Sequence, residues 1–257
     1  MKRYIDFSVK FFKIILTLKI SKLMKKIFYL VALVAISFLF VQCEQQSGSN
    51  MSKYDVGTGE ENGHAYVDLG LSVKWATCDV GAKYAFDKGD YFAWGEVYPK
   101  ETYDWNTYEH SAQVEDDNEI YRKIIKYCIY CEHDHFRCDG KSVLDECDDV
   151  AAVMWGGTWR MPTEDEVIEL LERCEWRYVL SNGENAFEVI GPNGNSIHLY
   201  VARYWTSELN TSMMIYSQKA MRLIVCHEYD RYGDFVSNSG LGSDMRYKGF
   251  MVRPVCK

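Results

Sequence analysis

Arg160-Met161-Pro162-Thr163-Glu164-Asp165-Glu166 is the most informative segment of the sequence. Thr163 and Glu166 have the S/T-x-x-E spacing of a capping box, in which two side chains satisfy the first free amides of a helix. Glu164 and Asp165 add negative charge where the helix dipole is positive. The apolar residues that follow have helical spacing: Val167, Ile168, Leu170, Leu171 and Cys174. We therefore predict a helix that begins after Thr163 and buries one face.

Short strands are predicted on both sides of this helix. Residues 186–190 and 196–201 flank Gly191-Pro192-Asn193-Gly194-Asn195, which is a turn sequence typical of a β-hairpin. His198 alternates with the apolar Ile197 and Leu199, so we expect its ring to face solvent. Further strands are expected around Gly70 within 65–76, and at 204–207, 215–217, 221–226 and 249–255. One helix among several short strands indicates an α+β domain.

Two long segments lack such a pattern. Residues 84–108 are rich in Tyr and Trp but follow neither a helical nor a strand period, so we predict an irregular loop fixed by ring packing. Residues 109–149 are acidic, and we expect a loop there with one short helical stretch near 120–129.

The N-terminal part predicts export. Lys25 and Lys26 precede an apolar run, 27–41, which at fifteen residues is shorter than the about 20 that a spanning helix needs. The run ends at Cys43, a position that resembles the lipid-modified cysteine of a bacterial lipobox. We predict a signal peptide over 1–42, of which 1–23 reads as the product of a start assigned too early, and a lipidated tether over 43–63. The domain then covers 64–257, anchored by lipid in the outer membrane, at its periplasmic face or at the cell surface.

Charge disfavours one class of partner. The whole chain has a net charge of −8, but residues 43–257 hold 21 Lys and Arg against 36 Asp and Glu, a net charge of −15. Such a balance repels phosphate backbones and anionic glycans, so we do not expect nucleic-acid binding.

Eight cysteines follow Cys43, and export to an oxidising compartment makes disulfides the default expectation, with the pairing left open. Four of them lie close together with two histidines between: Cys128, Cys131, Cys138 and Cys147, with His133 and His135. Local disulfides or thiols, a metal site and redox chemistry all remain open for this 128–147 cluster, although its spacing lacks the second Cys-x-x-Cys of a zinc knuckle.

Five motifs follow one another across residues 66–256: Val67-Asp68-Leu69-Gly70-Leu71-Ser72-Val73-Lys74-Trp75-Ala76-Thr77-Cys78-Asp79-Val80-Gly81-Ala82, Gly89-Asp90-Tyr91-Phe92-Ala93-Trp94-Gly95-Glu96, Trp155-Gly156-Gly157-Thr158-Trp159-Arg160-Met161-Pro162-Thr163, Gly191-Pro192-Asn193-Gly194-Asn195-Ser196-Ile197 and Val252-Arg253-Pro254-Val255. Together they resemble the Fibrobacter succinogenes major paralogous domain family, which is abundant in Bacteroidetes lipoproteins. This resemblance implies a C-type lectin-like domain: short antiparallel strands, one well-defined helix and long irregular loops. It also implies that the first and last strands pair, with the loops at the opposite end.

The resemblance extends distantly to formylglycine-generating enzymes, through Arg160-Met161-Pro162-Thr163-Glu164 and Gly249-Phe250-Met251-Val252-Arg253. Those enzymes use two nearby cysteines close to the C-terminus, whereas Cys226 and Cys256 are far apart in this sequence. Motifs of serine hydrolases, zinc proteases and phosphate-binding loops are absent from the sequence. We therefore predict a protein that is not an enzyme and needs no cofactor.

Calcium is one alternative to consider. Sugar-binding C-type lectins hold it through tripeptides that this sequence lacks, but Asp145, Asp148 and Asp149 could offer oxygen ligands to Ca²⁺. The competing interpretation is that Asp148 or Asp149 caps a short helix entering residues 151–154.

Aromatic residues offer the remaining binding chemistry, because flat rings suit sugars and cations. Tryptophans inside the motifs are assigned to the core: Trp75, Trp94, Trp155 and Trp159. Trp105, Tyr108 and Tyr232 lie in irregular segments and are the candidates for ligand binding. Arg160 and Arg253 are expected to tie loops together. The predicted function is binding of a glycan or protein partner at the cell envelope through the loop face, and the alternative is a structural envelope component without a small ligand.

Overall fold

Antiparallel strand pairs dominate the computed structural model, which describes residues 57–116, 119–129, 139–181, 183–212, 217–229, 231–233 and 235–257. The strands are β1 Gly59–Glu61, β2 His64–Val67, β3 Lys74–Ala76, β4 Ser111–Asp116, β5 Glu119–Ile124, β6 Glu175–Ser181, β7 Glu184–Ile190, β8 Ser196–Tyr200, β9 Arg203–Leu209, β10 Lys219–Ile224, β11 His227–Tyr229, β12 Phe235–Ser237, β13 Gly240–Met245 and β14 Val255–Cys256. The helices are α1 Val150–Trp155, which follows a 3-10 turn at Glu146–Asp148, and α2 Glu164–Arg173. This content confirms the predicted α+β class.

The first sheet joins both ends of the described chain, in the order β1-β2-β3-β14. Val255 of β14 pairs with Trp75 of β3, so the last strand pairs with the third strand and not with the first. Strand β1 falls inside the segment assigned to the tether, since Asn62 and Gly63, with φ of 46° and 82°, make a tight hairpin turn into β2. The Asn-Gly pair is the sequence signal that places residues 59–61 in this sheet.

Helix α2 begins as predicted. The Thr163 hydroxyl accepts from the Glu166 amide and the Glu166 carboxylate accepts from the Thr163 amide, so the capping box is complete. Val167 and Leu170 are buried against a core that includes Phe187 of β7 and Leu199 of β8. The hairpin of β7 and β8 is also confirmed, and β6, which the sequence did not predict, pairs with β7 along its whole length.

The expected helical stretch near 120–129 is wrong. Residues 119–124 form β5, which pairs with β4 from Ser111↔Ile124 to Asp116↔Glu119. Ile120 and Ile124 are four residues apart, which mimics a helical face, but the polar sequence between the two strands favours a hairpin. Of the other predicted strands, 204–207 and 221–226 correspond to β9 and β10, while 215–216 lie outside the described residues.

The expectation that His198 faces solvent is also wrong. Its side chain is 1% exposed, and its ring makes edge contacts with Phe86 at 4.7 Å and Tyr200 at 5.0 Å between centroids. The Tyr200 hydroxyl donates to the Phe86 carbonyl, which fixes the irregular loop over this face of β8. Burial lowers the pKa of His198 to about 4. The loop covers the face that alternation alone had assigned to water.

A second core cluster contains most of the motif tryptophans. Trp94, Trp155 and Trp159 pack there with Trp205, and Trp75 belongs to the first cluster. All four motif tryptophans are 7% exposed or less, which confirms their assignment to the core. Arg253 is buried as well, and it donates to Asp79 at 2.6 Å and to the carbonyls of Ala76 and Thr77. Its predicted role of tying loops together is thus confirmed.

The expected disulfides are not seen among the described residues. No bond joins any two of the six cysteines within them: Cys78, Cys128, Cys147, Cys174, Cys226 and Cys256. Cys43, the signal peptide, Cys131, Cys138, His133 and His135 all lie outside these residues. Within the described part of the chain, neither helix has the length and apolar character needed to cross a bilayer.

Candidate functional site

The irregular loop after Trp94 is held in place by side chains. Lys100 Nζ contacts the buried Glu96 carboxylate at 2.5 Å and donates to the Thr107 carbonyl at 2.8 Å. The Tyr103 hydroxyl donates to the Tyr91 carbonyl, and the Ser111 hydroxyl donates to the Trp105 carbonyl at 3.0 Å. These cross-links fix the backbone of a segment that has no regular hydrogen-bond ladder.

A buried arginine supports the loop from below. Arg246 is 0% exposed, and its guanidinium carbon lies 4.8 Å from the Trp94 ring and 5.4 Å from the Tyr108 ring. Its nitrogens donate to four oxygens at 2.8–2.9 Å: the Tyr108 hydroxyl and the carbonyls of Lys126, Tyr127 and Ser217. Neutral oxygens and ring faces thus solvate this cation inside the domain.

Three partly or largely exposed aromatic residues lie in the loop and a fourth, Tyr247, contacts it from the end of β13; we call Tyr91, Tyr103, Trp105 and Tyr247 the aromatic strip. The Trp105 and Tyr247 rings meet at 4.9 Å between centroids, and both residues are partly exposed. The Tyr103 ring passes next to Gly249, where a Cβ would stand 2.9 Å from it. Tyr91 is 46% exposed, and its backbone carbonyl accepts a hydrogen bond from the Tyr103 hydroxyl. The strip therefore offers ring surface to solvent on a fixed loop.

The three ligand-binding candidates separate in the structure. Trp105 belongs to the strip. Tyr108 is 2% exposed, with its hydroxyl donating to the Trp94 carbonyl at 2.8 Å and accepting from Arg246, so its ring belongs to the core. Burial also raises the pKa of Tyr108 well above its usual range. Tyr232 is 80% exposed, in the connection between β11 and β12, and stacks under the Arg231 guanidinium.

The acidic candidates are engaged by the protein itself. One Asp149 oxygen accepts from the amides of Ala151 and Ala152 and caps α1, while the other accepts from the Met161 amide at 2.8 Å. Burial raises the pKa of Asp149 to about 6, although the three hydrogen bonds to the carboxylate act in the opposite direction. Asp148 accepts from Lys126 and Tyr127, and Asp145 pairs with Lys141 at 2.6 Å.

A shallow depression of about 510 Å³ is lined by Asp145, Glu146, Cys147, Ala152 and Val153. Three or more metal-binding side chains do not converge here or elsewhere in the part of the chain that the structure describes. The carboxylates of this region are therefore used for helix capping and for pairing with lysines.

Among the described residues, the two cysteines nearest the C-terminus do not form an activated pair. Cys226 Sγ donates to the Asn238 carbonyl at 2.6 Å, and Cys256 is buried in the strand that pairs with β3. Burial raises the pKa of the Cys256 thiol to about 11, whereas a reactive thiolate needs a lowered pKa.

Sequence reasoning missed three arginines that matter here. Arg246 supports the loop, and Arg203 and Arg222 place their guanidinium groups over one ring, Phe250. All three act through contacts with residues distant in the chain, which residue spacing does not reveal.

Comparison with known protein families, with curated proteins and with solved structures finds no match to this chain.

Proposed function

We propose that this chain is a non-catalytic lipoprotein of the cell envelope that binds carbohydrate through the aromatic strip. The proposal includes the C-type lectin-like fold and the resemblance to the Fibrobacter succinogenes major paralogous domain family, both of which rest on the motifs of residues 66–256. It also includes lipidation at Cys43 and an outer-membrane location, which rest on the sequence of the first 43 residues.

One observation carries the binding function. Trp105 and Tyr247 are large rings that remain partly exposed, although the loop that carries Trp105 is tightly cross-linked. A soluble domain gains stability by burying such rings, so rings held at the surface by a fixed backbone are suited to contact with a partner. A preformed surface also lowers the entropy cost of binding.

Sugar suits the strip better than a protein partner does. Pyranose rings present C–H faces that pack on aromatic rings, and their hydroxyls need polar groups at the edges. Polar side chains border Trp105 here, because Arg122 donates to the Asn106 side chain at 3.0 Å and to the Ser111 hydroxyl at 3.2 Å. The rings and the polar groups thus lie side by side.

A glycan array tests the proposal with the full chain in detergent. Wild-type protein should bind a defined set of neutral glycans, and Trp105→Ala and Tyr247→Ala should each weaken that binding about tenfold or more. Tyr232→Ala is the matched control, since it removes an exposed tyrosine outside the strip and should leave binding unchanged.

Three outcomes are distinct. Binding that survives both strip variants would contradict the site. The strip would be assigned to a protein partner if no glycan on the array bound, wild type captured one envelope protein, and Trp105→Ala no longer captured it. A clean array with no partner, and a loss of about 3 to 5 kcal/mol of stability in Trp105→Ala, would favour the structural envelope component, because such a loss is typical of a buried tryptophan.

A further inference from the structure

Arg222 has an environment unlike that of the other buried arginines. It lies on β10 and is 9% exposed, yet its Nε and Nη1 atoms donate to no acceptor within the described residues. Its closest carboxylate oxygen is on Asp244, 3.4 Å from Nη2, which is long for a charged pair. A buried cation with two unused donors is unfavourable, so the protein leaves binding capacity at this position.

A second cation lies beside it. The guanidinium carbon of Arg203 is 5.8 Å from the centre of the Phe250 ring, and that of Arg222 is 5.6 Å from the same centre. Arg203 is exposed at the start of β9 and pairs with Ile224, two residues along from Arg222. Burial lowers the pKa of Arg222, the charge of Asp244 opposes this shift, and the positive charge of Arg203 adds to it.

The local charge is not balanced. Asp244 is shared, because its other oxygen contacts Lys248 at 2.7 Å, so one carboxylate serves two cations while Arg203 adds a third. Gly242 on β13 pairs with Arg222, and a Cβ atom at Gly242 would lie 3.9 Å from Arg222 Nη1. The glycine supplies no acceptor to the guanidinium, and Ile224 Cδ1, 2.9 Å from the same Cβ position, packs into the space beside it.

We propose that Arg203 and Arg222, on the Phe250 ring, form a binding site for a small carboxylate ligand. A carboxylate matches the planar donor pattern of guanidinium and would supply the acceptors that the pair lacks. The acidic charge of residues 43–257 disfavours polyanions but not a single carboxylate held by two arginines at short range. The site shares no residue with the aromatic strip, so the proposal stands whether or not the strip binds sugar.

The test is calorimetric titration of the full chain in detergent with sodium glucuronate, with glucose as the neutral probe and inorganic phosphate as a second anion. Wild-type protein should bind glucuronate saturably and more tightly than it binds glucose, and only the affinity for glucuronate should fall as salt rises. Arg203→Gln should weaken binding about tenfold or more, because it removes a charged hydrogen-bond donor from an exposed position where folding does not depend on it. Lys248→Gln is the matched control and should retain binding, since Lys248 contacts only the far oxygen of Asp244.

Arg222→Lys gives an independent reading. It keeps the charge but loses the planar fork, so binding should fall while the denaturation midpoint stays close to that of wild type. Equal affinity for glucuronate in wild type and Arg203→Gln would overturn the proposal, as would the absence of saturable binding in wild type. Phosphate binding without glucuronate binding would overturn the carboxylate assignment.

Discussion

Acidification should destabilise this protein through His198. The folded protein lowers the pKa of this side chain from 6.5 to about 4, first through burial and then through the charge of Arg253. The unfolded chain therefore binds a proton near pH 6.5 and the folded chain only near pH 4. Above pH 6.5 His198 is neutral in both states and the free energy of unfolding keeps its full value. As the pH falls towards 4 the unfolded state binds a proton that the folded state does not, so the free energy of unfolding decreases.

The size follows from the shift. A difference of about 2.5 pKa units corresponds to about 3 kcal/mol at 1.36 kcal/mol per unit. Glu188 and a hydrogen bond with the Ala85 backbone act in the opposite direction and are already included in the net shift. This loss is a large fraction of the about 5 to 15 kcal/mol that stabilises a typical domain.

Urea denaturation followed by tryptophan fluorescence at pH 7.5, 6.5, 5.5 and 4.5 measures the effect. Folding also lowers the pKa values of His64 and His110 and raises that of Asp149 to about 6, all through burial, so the wild-type curve alone does not isolate His198. His198→Phe keeps a ring against Phe86 but cannot take up a proton. The difference in unfolding free energy between wild type and His198→Phe should shift by about 2.5 kcal/mol between pH 7.5 and 4.5, because the full effect is reached only below pH 4.

Tyr200→Phe is the matched control, because it changes the neighbouring ring without removing the titrating group. Its pH profile should run parallel to that of wild type. If the profile of His198→Phe also ran parallel to wild type, the reasoning would be refuted, since His198 would then titrate alike in both states.

Four further changes have defined outcomes. Thr163→Ala removes the cap oxygen of α2 and should cost about 1 kcal/mol in urea denaturation, and an unchanged midpoint would contradict the cap. Gly191→Ala would place its Cβ 2.1 Å from the Leu69 carbonyl oxygen and should lower the thermal midpoint, whereas Gly240→Ala, with open space around it, should not. Tyr108→Phe leaves Arg246 without one acceptor and should cost about 1 to 3 kcal/mol of unfolding free energy, so a neutral result would show that another acceptor replaces it. Cys43→Ser should abolish palmitate labelling and release the chain from the membrane fraction, and retained labelling would disprove lipidation at that residue.

Local signals predicted the elements that depend on neighbours in sequence. The capping box of Thr163 and Glu166 acts over three residues, and the turn at 191–195 joins adjacent strands, so both could be read directly. The Asn62-Gly63 turn is an equally local signal, but the polar composition of residues 43–63 led us to assign that segment to the tether. The prediction for residues 120–129 was wrong because local spacing misled it. The apolar spacing suited a helix, whereas pairing with residues 111–116 determines the strand.

The candidate site depended on distant contacts. Trp105, Tyr108 and Tyr232 look alike in sequence as aromatic residues in irregular segments, yet they end as a strip residue, a core residue and an exposed residue. What separates Tyr108 from the others is Arg246, 138 positions away, which takes its hydroxyl as an acceptor. His198 was misplaced in the same way, since Phe86 covers it from more than a hundred positions upstream.

The buried arginines also depend on distant contacts, and they differ in how fully their charge is compensated. Arg253 meets the carboxylate of Asp79 across 174 positions, and Arg246 meets carbonyls and ring faces, so each buried cation is compensated by groups that the fold brings to it. Arg222 is buried by the same sheets but receives only a distant share of Asp244. Burial of a cation without full compensation is unfavourable. All three guanidinium nitrogens of Arg246 donate to oxygens, and Arg253 leaves only Nη2 without an acceptor among the described residues. The deficit at Arg222, with two unpartnered nitrogens, is larger than that at Arg253, where Nη2 alone lacks a partner, so we assign a ligand to Arg222 and a structural role to Arg246 and Arg253.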